Sequence, residues 1–319
     1  TQYDYKGREV TGYRGWTFKT DQNKAQPGRG VGLTPNISAD FADAAIEFIN
    51  RRPDKPFFLQ VSFTAPPDPL LVPPGYETTY HPENIPLPGN YKPRHPFDHG
   101  NFDGRDERLL PWPRTKSDVR SDLAVYYAII SHLDEQVGRL VAALKANDQW
   151  DNTVLIFASD HGLALGSHGL MGKQNQYEHS IGIPLIFAGG GIPAGKRLKT
   201  QCYLRDLYPT VCELAGIPIP TSVQSKSLAG IIHGREHEVH PFVVGYFTNT
   251  QRMIRENNWK LIWYPHLAHY QLFDLSVDPL ELTNLFAKPD EESRVFTLRN
   301  KLENWLRAHN DPLFDPPLD

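Results

Sequence analysis

The 319 residues exceed what one hydrophobic core usually holds, so a large domain with a smaller companion is expected. Hydrophobic residues at 39% and charged residues at 22% are too apolar for disorder, and a formal net charge of -4 denies the broad basic field that nucleic acid calls for. No apolar run approaches the roughly 20 residues of a membrane span.

From Ser38 to Arg52, Phe41, Ala45, Phe48 and Ile49 recur at helical spacing behind Ser38 as cap, and Pro53 stops the helix. Pro56 to Phe63 (PFFLQVSF) is a continuous apolar run bounded by prolines, the pattern of a strand buried on both faces. A stretch of about fifty residues with little periodicity follows, a length that compact domains tolerate chiefly in functional loops. Ser117 then caps a long helix through Leu144, with Val125, Ile129, Leu133, Val137 and Leu140 on one stripe. Thr153 to Ser159 (TVLIFAS) and Ile183 to Ala188 (IPLIFA) are two further apolar strands. Leu207 to Ala215 reads as a short helix ended by Gly216.

Strands alternating with helices of this length predict an α/β fold, with a large mixed, mostly parallel sheet sandwiched by helices. The pattern then changes. Phe242 to Phe247, Gln251 to Glu256, Trp259 to Tyr264 and Tyr270 to Leu275 are short strands, and Glu291 to His309 is a helix turning Val295, Leu298, Leu302 and Trp305 inward. A small antiparallel sheet-plus-helix subdomain is expected, dividing the chain into 1–230 and 231–319.

The strand at Thr153 to Ser159 runs into Asp160-His161-Gly162, and ligands of open parallel sheets bind at the carboxyl ends of strands. A carboxylate beside an imidazole can offer an oxygen and a nitrogen to one divalent cation. The loop that follows, with Gly162, Gly166, Gly169 and Gly172, delivers Lys173, a point cation suited to an oxyanion. By spacing alone, Asp160-His161 reads equally well as an ordinary turn, and His168 and His179 as loop histidines with structural hydrogen bonds.

SDHGLALGSHGLMGKQNQYEHSIGIPLIFAGGGIP resembles the metal-and-sulfate segment of the sulfatase family, within the alkaline-phosphatase superfamily. PFFLQVSF, the proline-rich loop, the long helix, WKLIWY and YQLFDLSVDPLELTNL agree with that family in order, so the likeness covers nearly the whole chain. The resemblance implies a sulfuric ester hydrolase in which calcium, or magnesium in some relatives, holds the sulfate and a formylglycine made from Cys or Ser is the nucleophile. It places Asp160 and His161 at metal positions and Lys173 at the sulfate-binding, catalytic position. Glu178, His179 and His168 become supports around them, and Asp68 a substrate-side residue, although an ordinary turn Asp before Pro69 is an equal reading. The implied substrate is a sulfate ester, by family habit that of a carbohydrate, and the implied compartment is periplasmic or secreted.

The sequence departs from the family in several places. The formylglycine motif is Cys or Ser, any residue, Pro or Ala, any residue, Arg. Cys202 precedes Tyr-Leu-Arg-Asp and Cys212 precedes Glu-Leu-Ala-Gly, so both read as structural cysteines. The family's adjacent Asp ligands and its Lys-Trp-His-type run are not among these residues. The expectation is therefore a chain short of about one domain-scale block of the family, inactive alone, whose open sheet edges call for an N-terminal partner segment or chain. Pro67 stands where a sulfate-contacting His is usual, and Gly182 where Arg is common. A non-catalytic remnant and a phosphoester or phosphonate hydrolase remain alternatives. Pro111-Trp112-Pro113 and Trp259 to Tyr270 read either as a sugar-subsite floor or as packing.

Overall fold

A computed structural model describes residues 3–9, 15–20, 22–29, 31–66 and 70–314, so Pro67 and Asp68 lie outside the described residues. The chain forms two compact units, one from Thr1–Leu87 with Thr115–Val154, the other from Pro88–Arg114 with Leu155–Asp319. No helix among the described residues is long and apolar enough to cross a membrane.

In the first unit, α1 (Ile37–Asn50) packs on α2 (Lys116–Ala146). Ala45 and Ile49 of α1 meet Leu140 and Leu144 of α2, all buried, with Val61, Phe63 and Trp150 around them. Burial of Ile49, Leu140 and Leu144 stabilises the pair by about 1.5–3 kcal/mol each relative to exposure. The helix starts differ from the sequence reading. Asn36 precedes α1 with no side-chain cap bond, and Ser38 is already helical. Thr115, not Ser117, caps α2, its hydroxyl accepting the Asp118 amide at 3.1 Å.

Pro56 to Phe63 is not a strand. It has no ladder partner among the described residues. Val61 and Phe63 pack toward the helices and Phe57 lies against Phe48, whereas Phe58 is 73% exposed. With no neighbouring strand among the described residues, Phe58 and Leu59 are left exposed, and the run is not buried on both faces.

In the second unit, β1 (Val154–Ala158) and β2 (Leu185–Gly189) form a two-stranded sheet. Every residue of β1 is half-buried and Ile186 of β2 is exposed, so full burial of these strands, expected from their apolar runs, does not hold. Leu185 and Phe187 instead pack on a cluster of Leu228, Ile231, Ile232 and Val239 built around α3 (Ala229–Ile232). Cys202 is half-buried and Cys212 buried, in keeping with structural cysteines, and both are free thiols.

The four-stranded antiparallel sheet matches expectation: β3 (Val243–Phe247), β4 (Gln251–Glu256), β5 (Trp259–Tyr264) and β6 (His269–Asp274), in that order. Register places Val244 beside Ile254, Ile254 beside Leu261 and Leu261 beside Leu272. That row packs on Val295, Leu298, Leu302 and Leu306 of α4 (Glu292–Ala308). Period-two alternation sends Met253, Ile262, Tyr264 and Phe273 to the opposite face, where they bury Ala164, Leu170 and Tyr177. The loop carrying the sulfatase-like motif is thus the second cover of this sheet.

Candidate active site

At the end of β1 the chain turns through Asp160-His161-Gly162. Ser159 donates its hydroxyl to the His161 carbonyl at 2.7 Å, and the His161 amide donates to Asp160 Oδ1 at 2.9 Å. His161 Nδ1 stands 2.9 Å from the Gly162 carbonyl and can donate there, so only its Nε2 could serve a cation. The Asp160 side chain is 77% exposed, with its Oδ2 3.6 Å from that Nε2. The Gly162 amide donates to the Ser180 carbonyl at 2.8 Å, and a Cβ on Gly162 would stand 2.0 Å from the His179 carbonyl oxygen. Only glycine permits that approach.

Asp160 and His161 therefore present one carboxylate and one imidazole nitrogen outward. Their chemistry fits part of a divalent-cation shell, whereas calcium takes 6–8 oxygen ligands. Among the described residues no group of three or more His, Cys, Asp or Glu side chains is placed to hold a metal.

Lys173 sits in different surroundings. The loop doubles back on itself, the Gly166 amide meeting the Leu170 carbonyl at 2.7 Å and the Ala164 amide the Gly172 carbonyl at 3.2 Å. Gly166 and Gly169 take positive φ there, 97° and 76°. The Met171 and Gly172 amides point outward to the carboxylate of Glu107, at 3.0 and 2.8 Å. Glu107 is buried and pairs with buried Arg114 at 2.8 Å. Burial raises the Glu107 carboxyl above its ordinary value, although the two amides and Arg114 oppose this. Next to it, Asp106 accepts from the Gln174 side chain at 3.0 Å and lies 3.9 Å from Lys173 Nζ. Burial pushes the Asp106 carboxyl up, but hydrogen bonds from Arg105 and Gln174 and the nearby cations bring it below its usual value. Lys173 is a third exposed, and no hydrogen bond or ion pair among the described residues joins it to Asp160 or His161.

Glu178 opens the helical turn α5 (Glu178–Ile181) and is tied into the sheet. Arg255 Nη1 lies 2.8 Å from its Oε2, and the Lys260 ammonium 2.7 Å from its Oε1 as an ion pair. Lys260, fully buried, also pairs with buried Glu281 at 2.6 Å and donates to the Gln176 carbonyl at 3.0 Å. Glu281 closes the circuit by accepting the Glu178 amide at 2.7 Å. Burial alone would raise the Glu178 carboxyl; Lys260 and Arg255 outweigh it and hold it low. His168 stacks on Tyr177 at 4.0 Å, and His179 lies 5.9 Å from His168. Both ring nitrogens of His179 are sealed from water without partners, as is Nε2 of His168. Burial drives His179 well below 6.5 and His168 to about 4, so both are neutral imidazoles.

The aromatic stretches belong to packing. Phe102 stacks on Trp112 at 4.6 Å and the Arg114 guanidinium sits 3.6 Å from the Trp112 ring centre. Two groups that close cannot share one face, so neither side is left for a sugar. Arg294 covers Trp259 at 3.7 Å, and Tyr270 stacks between Trp263 and Phe286.

Asp106, Glu107, Arg114, Lys260 and Glu281 were not legible as site-supporting residues. One signal existed for Lys260: it is a lone charge at an inward position of an otherwise apolar alternating strand. The Asp106-Glu107 pair falls in a stretch without periodicity, and nothing local marks it.

Known proteins resemble this chain along most of its length. A family model described as Sulfatase matches residues 3–217, and one described as N-sulphoglucosamine sulphohydrolase, C-terminal, matches residues 166–308. An arylsulfatase of Clostridium perfringens is 33% identical over 281 residues, 85% of this chain and 58% of its own. A crystal structure of the phosphonate monoester hydrolase of Agrobacterium radiobacter superposes with a TM-score of 0.71 at 25% identity, covering 88% of this chain and 62% of that one. A protein solved in complex with its substrate D-glucosamine-2-N,6-O-disulfate gives 0.71 at 22% identity, covering 88% and 71%. The chain spans about half the length of the curated relatives it matches, 58%, 47% and 38% of the first three. With its family model matched over more than half its length and its fold shared with these structures, the chain belongs to the sulfatase family.

Proposed function

We propose that this chain supplies the sulfate-holding part of a sulfuric ester hydrolase. The observation that carries the reading is Lys173: a partly exposed ammonium on a loop anchored from outside, 3.9 Å from the carboxylate nearest it. An ion pair at that distance leaves the ammonium free to turn toward an incoming sulfate oxygen. In the transition state negative charge spreads over the sulfate oxygens, and a preplaced cation lowers its energy without reorganisation.

Asp160 and His161 would hold a divalent cation, calcium or magnesium, which when bound neutralises sulfate charge. Neither Cys202 nor Cys212 lies in a formylglycine motif, so neither is assigned the nucleophile. Glu178, His179 and His168 act as supports: the carboxylate anchors the turn after Lys173, and the neutral imidazoles fill the space beneath it. A sulfated carbohydrate is the proposed substrate, supported by the disulfated sugar in the matched complex. Asp68 is the proposed substrate-side residue, and a 231–319 subdomain is supported by the four-stranded sheet and α4 falling within it.

The test is aryl sulfate hydrolysis. The 319 residues alone should show no turnover above their Lys173→Ala variant. In the complete protein the same substitution should lower kcat/KM by about 10²-fold, in line with losing one charge-stabilising donor. Unchanged kcat/KM would remove Lys173 from the site. The phosphonate hydrolase match sustains a second reading, and higher kcat/KM on a phosphonate monoester than on the matching sulfate ester would select it.

A further inference from the structure

We propose that Glu107 is a positioning residue for Lys173; the inference rests on the sulfate-holding role proposed above for that lysine. The two residues before Lys173 give both their amides to one carboxylate, Met171 to Oε2 and Gly172 to Oε1. A planar group gripping successive amides sets the direction in which the chain enters Lys173. The loop's own hydrogen bonds do not do this, because there Met171 and Gly172 serve through their carbonyls, to Leu165 and Ala164.

Arg114, buried with Glu107, fixes the carboxylate at 2.8 Å. The contact is tight. A Cβ on Gly172 would stand 2.9 Å from Glu107 Oε1 and 2.9 Å from Asp106 Cβ. Asp106, on the same 3-10 turn (Asp106–Leu109), addresses the other side of the lysine through Gln174 at 3.0 Å and the ammonium itself at 3.9 Å. Adjacent carboxylates thus hold the backbone before Lys173 and the side chains at and after it.

A buried ion pair is a poor device for stability alone, since apolar replacements of similar shape often hold a fold as well. Its advantage is angular definition, which matters where a cation must meet an anion within a fraction of an ångström.

The experiment is a double-mutant cycle on the complete protein, reading the inhibition constant of inorganic sulfate against aryl sulfate hydrolysis below the lowest unfolding midpoint of the set. Glu107→Gln should weaken sulfate by about 3- to 10-fold, and by less than about 2-fold when Lys173 is already Ala, because the residue it acts through is gone. Equal factors on both backgrounds would mean a merely structural Glu107 and would overturn the proposal while leaving Lys173 in its role. No effect of Lys173→Ala by itself would remove that role, and this inference with it. If Glu107→Gln does not fold, Gly172→Ala pushes the same segment off the carboxylate from the other side, with the same expected and overturning factors.

Discussion

The two ends of the motif are held in opposite ways. Asp160 projects into solvent from a turn secured by contacts among its own neighbours and one backbone bond to Ser180. Lys173 to Ser180 is instead pinned by buried charges that arrive from far along the chain: Glu107 beneath Met171 and Gly172, and Lys260 and Glu281 around Gln176 and Glu178. The first end is local and open. The second is a cover of the C-terminal sheet, so its geometry is inseparable from the fold of that sheet. On the proposed roles, a cation ligand can take an exposed, adjustable position, whereas the ammonium is delivered by a firmly anchored backbone.

That contrast predicts a steep gradient of mutational cost. Lys260→Met leaves Glu281 buried without its cation and frees Glu178, and should destabilise the chain by about 3–5 kcal/mol, the usual cost of breaking one side of a buried pair. Urea unfolding measures it, and a loss under about 1 kcal/mol would mean the circuit does not anchor the loop. Gly162→Ala, which sets a methyl against the His179 carbonyl, should cost about 1–3 kcal/mol in the same assay. A neutral result there would show the two ends to be less closely joined than the Gly162–Ser180 hydrogen bond implies.

Acid provides the next test. His168 is held at about 4 in the folded chain, largely by burial and then by the Lys92 charge, against about 6.5 when unfolded. Its folded value is depressed, so below pH 6.5 the unfolded chain takes up a proton the folded one refuses. Stability is full above that pH and falls toward pH 4, by up to about 1.4 kcal/mol per unit from this imidazole. His168→Phe should flatten the slope of stability against pH between 6.5 and 4 by about that amount; an unaltered slope would place the acid sensitivity elsewhere. The smallest effect belongs to the open end. Asp160→Asn should change unfolding free energy by no more than about 0.5 kcal/mol, as at other exposed positions, while lowering calcium affinity in titration calorimetry of the complete protein. A large stability loss would contradict its solvent-facing placement.

The residues that made the family legible are the ones whose signal is local. β4 and β5 fall at the boundaries their alternation predicts, and α4 begins one residue after and ends one before its expected limits. Asp160, His161 and Lys173 were singled out by the family resemblance of the run from Ser159 to Ser180, since by spacing alone the Asp-His pair read equally well as a turn. Pro56 to Phe63 misled because an apolar run reports a tendency to bury, and only a paired neighbour turns an extended segment into a strand. Trp112 was open between two readings because an aromatic is equally at home in a core or under a sugar.

By itself, then, the amino-acid order determined which segments could be helix or strand, since propensity and periodicity act over a few residues, and by family resemblance which side chains are candidates for chemistry. The tertiary structure alone decided that Glu107 would meet residues 171 and 172, that Lys260 would be buried between Glu178 and Glu281, and that Asp160 would face solvent. Partners separated by 64 or 103 positions, as Glu107 from Met171 and Glu178 from Glu281, leave no periodic trace in the chain. Their pairing depends on the packing of whole elements, which closes long loops only after the local structure exists.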